Sequence, residues 1–262
     1  MLLMNQEEPK SNPDVILSEL KNNFCVHDIL IDQKDFKKFC DSVGYPRSYG
    51  KLFGNFLTEK LLEHYISTFL LDFSVQDRFI DIAASRSHYS EFIHKKGIES
   101  YKQDLIFPRG ITVSRDSDVP LIGGSAANLP FRDNYITRMT LHCSIEHFEY
   151  LDDVNYILES SRVLEKSGKI CILPLYFGEN YHIVTDPKIF EKEKNEIRFE
   201  ENVPVFFKRD FGNRHCRVYS VSEFKNRLVN EKIWNIEIFH VLNLNDIGKE
   251  LYCEYAAVFT KR

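Results

Sequence analysis

The chain has 262 residues, 43% of them hydrophobic and 28% charged, with a formal net charge of −5. That is an ordinary soluble composition, long enough for a substantial core and most simply one domain with additions. The acidic balance argues against a protein that grips nucleic acid by general phosphate neutralisation.

Six cysteines, at positions 25, 40, 143, 171, 216 and 253, are scattered without a Cys-x-x-Cys pair. Neither a zinc site nor a disulfide framework is expected, and free thiols point to a reducing, cytoplasmic compartment. Leu2 and Leu3 are followed by no long apolar run, so neither a signal peptide nor a membrane anchor is expected.

Taken in order, residues 1–12 are polar and expected to fray. Residues 13–40 carry two short helical patterns, the first through Val15, Ile16, Leu20 and Phe24. Gly44 to Gly54 is rich in turn formers and aromatics and reads as a loop. Its Tyr45, Arg47 and Tyr49 leave two readings open, a surface loop or a substrate wall. Leu57, Leu61, Leu62, Tyr65 and Phe69 mark an amphipathic helix.

Arg78 to Ala84 is the first clear strand, followed by Ser85-Arg86-Ser87 and a helix through Tyr89, Phe92 and Ile93 ended by Gly97. Ser85 or Ser87 can cap that helix. A strand that enters a helix through a tight turn offers free backbone N–H groups to a ligand. Glu99 to Leu105 is the second strand, with Asp104 at its carboxyl end, where an acid in a doubly wound fold receives ribose hydroxyls. A short strand at Ile111 to Val113 is possible within the polar connection that follows.

The stretch from Leu121 to Phe177 then reads as a glycine turn, a Leu-Pro-Phe segment, a buried strand at Tyr135 to Leu141, an amphipathic helix and a second buried strand at Ile170 to Leu175. Asp152 is placed to cap the helix, and Gly168 to end it in the left-handed conformation. Beyond Phe177 come a charge-rich run at Glu191 to Glu201 and an aromatic one at Val203 to Phe207. Ser220 and Glu223 have capping-box spacing. Trp234 to Leu242 and Tyr252 to Thr260 read as the last two strands.

The ordered pieces Ser125 to Phe131, Glu146-His147-Phe148 and Arg162-Val163-Leu164-Glu165-Lys166-Ser167-Gly168 resemble the second half of a class I S-adenosylmethionine-dependent methyltransferase. The resemblance covers roughly residues 66–262. It implies an α/β, Rossmann-like, seven-stranded and mostly parallel sheet with helices on both faces. Residues 1–65 would be an N-terminal helical extension, and about 178–217 an inserted lid or acceptor segment. The closing strands would be the family's antiparallel pair.

The resemblance also implies a cofactor site. Asp81, Ala83, Ala84 and Ser85 stand at the turn that wraps the methionine part, although alanine and serine replace the usual glycines and take positive φ less easily. Asp104 and Leu105 would meet the ribose. Ser125 and Ala126 stand where the adenine is met, Ser125 in place of the usual aspartate. His142 is open to two readings, a core histidine or a cofactor contact.

Methyl transfer from a sulfonium needs positioning, and a base only when the nucleophile must lose a proton. His147, just after the fourth strand of that order, is the candidate base; a packing role is the alternative. Lys208, Arg209, Arg214, His215 and Arg217 form a basic cluster, with His182 near it, so His182, Arg209 and His215 are candidate contacts for a phosphate-bearing acceptor. No metal is expected; Asp152 and Asp153 lack a further carboxylate beside them. The activity implied is methylation, at oxygen, of a small-molecule or nucleotide-sugar/glycan-precursor acceptor, without nucleic-acid or membrane partners. A degenerate domain that binds or regulates without catalysis is the alternative. A nicotinamide oxidoreductase is disfavoured because Gly-x-Gly-x-x-Gly is missing after the first strand.

Overall fold

The computed structural model describes residues 2–4 by backbone alone and residues 8–114 and 117–262 in full. Twelve strands and nine α-helices occur among these residues. The N-terminal part holds β1 (Leu2–Met4), α1 (Pro13–Asn23), β2 (Cys25–Ile29), α2 (Gln33–Ser42), α3 (Arg47–Phe53) and α4 (Leu57–Leu71). The middle holds β3 (Arg78–Ile82), α5 (Tyr89–His94), β4 (Glu99–Thr112), β5 (Leu121–Gly123), β6 (Ile136–His142), α6 (Asp152–Val163) and β7 (Leu164–Leu173). Then follow β8 (His182–Thr185), α7 (Pro187–Glu193), β9 (Pro204–Phe207), β10 (Cys216–Val218), α8 (Val221–Leu228), β11 (Trp234–Val241), α9 (Leu244–Ile247) and β12 (Tyr255–Lys261).

The main sheet runs β2-β11-β12-β7-β6-β3-β4-β5. All its strands are parallel except β12, which lies antiparallel between β11 and β7. Eight strands stand where the sequence implied seven, because β2 pairs with β11 at the edge. The last two strands, β11 and β12, pair antiparallel to each other, as expected.

Period-two alternation distributes the core to the two faces. Ile170, Ile172, Ala257 and Phe259 join the cluster under α1, α6 and α8. Cys171, Leu173, Ala256 and Val258 join the opposite cluster under α2 and α4. Each large side chain so buried contributes about 1.5–3 kcal/mol. All six cysteines are unpaired.

Several local expectations are corrected. Gly44 to Gly54 is not all loop, since α3 forms within it with Tyr49 buried. Phe69 is exposed (68%); the inward face of α4 carries Leu62, Ile66 and Leu70 instead. Asp152 is the first residue of α6 and makes no cap; its carboxylate meets the Arg198 guanidinium. The left-handed residue after that helix is Ser167, with φ 65°. Gly168 is needed for another reason: a Cβ there would lie 2.9 Å from the Glu165 carbonyl oxygen and 2.9 Å from Leu164. Ser220 does cap α8, accepting from Glu223 N at 3.1 Å.

The region after Phe177 forms a second sheet, β1-β9-β8-β10. Its β1 overturns the fraying expected for residues 2–4; residues 1 and 5–7 of that expectation lie outside the described residues. The second sheet is tied down by Arg217, fully buried, which lies 3.1 Å from Asp153 and 2.7 Å from Glu200.

Candidate functional site

The site lies at the carboxyl ends of β3, β4 and β6, where open parallel sheets receive ligands. The turn after β3 holds its shape without glycine: Ala83 has φ 52° and Ser85 φ 45°. Each such residue costs roughly 1–2 kcal/mol, a strain that persists where surroundings over-determine the backbone. Those surroundings are visible. Ala83 N donates to Gln103 Oε1 (3.1 Å), Ala84 N to the Gln103 carbonyl (2.9 Å) and Ser85 N to Asp104 Oδ2 (2.7 Å). The turn therefore does not present these three N–H groups free, as the sequence suggested. Neither Ser85 nor Ser87 is the N-cap of α5; that position is His88, which makes no side-chain cap, and Ser87 Oγ accepts from Tyr89 N at 3.1 Å just ahead of the helix.

An inner cavity of about 550 Å³ opens between this turn and α3–α4, lined by Asp81, Ala84, Ser85 and His142 together with Tyr49, Lys60, His64 and Cys143. Asp81 is buried. Its Oδ1 accepts from Thr140 Oγ1 at 2.8 Å and sits 3.3 Å from His142 Nδ1, while its Oδ2 has no partner. His142 Nε2 lies 2.7 Å from Ser67 Oγ, whose own proton goes to the Glu63 carbonyl at 2.8 Å. Ser67 must then accept from Nε2–H, which leaves Nδ1 turned towards Asp81. His64 stacks on Tyr89 at 4.6 Å, and its Nδ1 is 2.8 Å from the Tyr45 hydroxyl. Burial holds its pKa well below the ordinary histidine range, so it is neutral. Lys60 pairs with Glu63 at 3.1 Å, and the Cys143 thiol, its pKa pushed well up by burial, donates to Glu63 at 3.1 Å.

The sequence reading missed Lys60, Glu63, His64 and Ser67. A signal was present: they recur at i, i+3, i+4 and i+7 and so form one polar stripe along α4. Apolar periodicity alone does not register such a stripe. Gln103, which holds the turn, carried no signal at all.

An outer cavity of about 490 Å³ shares Ala83 with the inner one and is lined by Asp104, Leu105, Ser125, Ala126 and His147, with Arg198 and Arg214 as its roof. Asp104 is fixed by two donors, Ser85 N and, at 3.1 Å, Ile106 N, which leaves lone pairs for a ligand. His147 lies in this outer cavity, away from the inner one. Its Nδ1–H donates to the His215 carbonyl at 2.6 Å, which ties it to β10.

The basic cluster does not assemble. His182 and His215 are buried and Arg209 is exposed, and none of the three lines either cavity. Burial, with Arg217 adding to it, lowers the His215 pKa to about 3. Arg214 is paired with Glu149 and Glu193, and Lys208 with Glu8. The phosphate-binding lid expected from sequence is therefore replaced by internal ion pairs. Among the described residues no group of acids, histidines and cysteines could hold a metal.

The sheet order, one reversed strand and a split cleft over the first strand invite comparison with solved structures. The protein bound to the Trm112 methyltransferase activator of Haloferax volcanii matches at a TM-score of 0.50 and 11% identity, over 82% of this chain and 94% of that one. The chain has the Rossmann-like fold of class I methyltransferases. A SAM-dependent methyltransferase of Archaeoglobus fulgidus gives a TM-score of 0.48 at 12% identity, over 82% of this chain and 99% of that one. The 1,6-didemethyltoxoflavin-N1-methyltransferase of Burkholderia thailandensis, solved with 1,6-didemethyltoxoflavin and S-adenosylhomocysteine, gives 0.49 at 11% identity, over 98% and 93%. No family model matches the sequence, and no curated protein does. Among the described residues no helix is long and apolar enough to cross a membrane.

Proposed function

We propose that the chain is an S-adenosylmethionine-dependent methyltransferase that binds its cofactor across Ala83, with the adenosine in the outer cavity and the methionine end in the inner one. The observation that carries this reading is the meeting of the two cavities at the strained turn after β3. Asp104 faces one of them, and the unpartnered Asp81 Oδ2 lines the other. These residues fit the group. Asp104 offers acceptors to a ribose diol, Asp81 suits an ammonium, and Ala126 leaves room for a flat ring. When bound, the cofactor supplies a methyl group activated by the sulfonium.

The rest is work for this chain's own side chains. Tyr49, Leu52 and Phe53 wall the inner cavity and keep water out. The acceptor is a small molecule, methylated at a hydroxyl, and the neutral His64 is the group that takes its proton. In the tautomer this requires, Nδ1–H donates to the Tyr45 oxygen and Nε2 is the accepting atom. A nucleotide-sugar or glycan-precursor acceptor loses its support with the pairing of the basic cluster.

A second reading, a degenerate domain that binds without catalysis, is favoured by the occupied N–H groups of the turn. Calorimetry with S-adenosylmethionine and S-adenosylhomocysteine separates the two. The catalytic reading expects binding of both and loss of about tenfold or more in Asp104→Ala, the value of a charged hydrogen bond. Failure of either ligand to bind at millimolar concentration would leave the second reading.

A further inference from the structure

The inner cavity continues outward, under α3, into an opening of about 620 Å³ that shares Tyr49, Leu52, Ser85 and Arg86 with it. Lys51 from α3 and Arg86 from the turn both line this mouth, and both are exposed. Neither has an acidic partner among the described residues. The other charged groups around the mouth are matched. Lys102 pairs with Glu91 at 2.6 Å, and deeper in Lys60 pairs with Glu63. Glu91 keeps one buried oxygen without a partner, its charge being offset by Lys102. His88 titrates below the ordinary range because of burial, so it adds no charge near neutrality. Among the described residues the two unmatched charges at the entrance are cations.

Apolar Leu52, Phe53 and Ile106 stand among the residues that line the inner cavity behind this mouth. Leu52 is 45% exposed and Ile106 65% exposed at the rim, more apolar surface than a solvated loop needs. Behind them Tyr49 is almost fully buried, and its hydroxyl makes no hydrogen bond.

We propose that this mouth selects a small planar aromatic acid as the methyl acceptor. Its carboxylate meets Arg86 and Lys51, and its ring lies against Leu52 and Ile106. Arginine suits a carboxylate because its planar fork donates two parallel bonds, and the apolar walls exclude strongly hydrated sugars. The inference deepens the methyltransferase reading and rests on it for the word acceptor; the recognition of the acid rests on the mouth alone.

The test uses three ring probes that differ in charge, namely benzoate, benzamide and benzylamine, titrated calorimetrically into the full chain with and without saturating S-adenosylhomocysteine. Benzoate should bind at least about tenfold more tightly than the other two. Lys51→Gln should erode that preference and leave S-adenosylhomocysteine affinity unchanged, and Arg86→Gln should erode the preference by more than it weakens S-adenosylhomocysteine. Equal binding of the three probes, tighter binding of benzylamine, or a benzoate affinity indifferent to both substitutions would overturn the assignment. So would an Arg86→Gln variant whose chief loss is S-adenosylhomocysteine affinity, because Arg86 would then serve the cofactor. If S-adenosylhomocysteine itself does not bind, the cofactor reading fails, and the probe series still decides whether the mouth takes an acid.

Discussion

Replacing Ser85 by glycine should stabilise this protein. Ser85 sits at φ 45°, is exposed, and its side chain makes no hydrogen bond; its backbone N–H, donated to Asp104 at 2.7 Å, is kept by glycine. Removing the Cβ relieves roughly 1–2 kcal/mol of left-handed strain. The greater freedom of glycine in the unfolded chain takes back roughly 0.5–1 kcal/mol. The net gain is roughly 0.5–1 kcal/mol, which for a chain of this size raises Tm by about 1–4 °C. Ser85→Val is the opposing variant, since a β-branched residue is a genuine outlier at positive φ; it should lower stability by at least about 1 kcal/mol. Thermal and urea unfolding of the three proteins would check the order glycine, serine, valine. A glycine variant less stable than the parent, or a valine variant equal to it, would show that the turn is not left-handed in solution.

Further outcomes follow from the same geometry. Arg217→Ala leaves Asp153 buried with one cation fewer beside it, and urea unfolding should show a loss of about 3–5 kcal/mol. Gly168→Ala should cost about 1–3 kcal/mol by the same assay, because the new Cβ meets the Glu165 and Thr137 carbonyl oxygens at 2.9 and 3.2 Å. The folded pKa of His215, about 3, lies below its ordinary value of 6.5, so in that window the unfolded chain binds the extra proton. Stability should therefore fall as pH is lowered from 6.5 towards 3, by up to about 1.4 kcal/mol per pH unit. In His215→Gln that dependence should be shallower, and an unchanged pH profile would refute the assignment.

How far the sequence carried can be judged at particular residues. The strand–helix units from Arg78 to Leu173, the α8 cap at Ser220 and the order of the closing strands were legible because they rest on local periodicity and capping chemistry. Asp104 could be placed at a strand end for the same reason, whereas Ser125 was placed by resemblance alone, since β5 before it had read as a glycine turn. β2 was not legible: CVHDI is short and half-buried, and it becomes a strand by pairing with β11, whose residues lie more than two hundred positions away. The basic run from Lys208 to Arg217 misled, because its carboxylate partners Glu8, Glu149, Asp153, Glu193 and Glu200 come from distant segments.

Sequence alone determined most of the strands and helices between Arg78 and Leu173, and that the chain winds as an α/β sheet. Those properties follow from spacing and chemistry that neighbouring residues carry themselves. Tertiary structure alone decided that α4 turns Lys60, Glu63, His64 and Ser67 towards the carboxyl end of the sheet, that alanine and serine can hold a left-handed turn, and that among the described residues the mouth keeps two unmatched cations. Each of these depends on which groups end up facing one another in space. Burial, charge pairing and backbone strain are set by such partners.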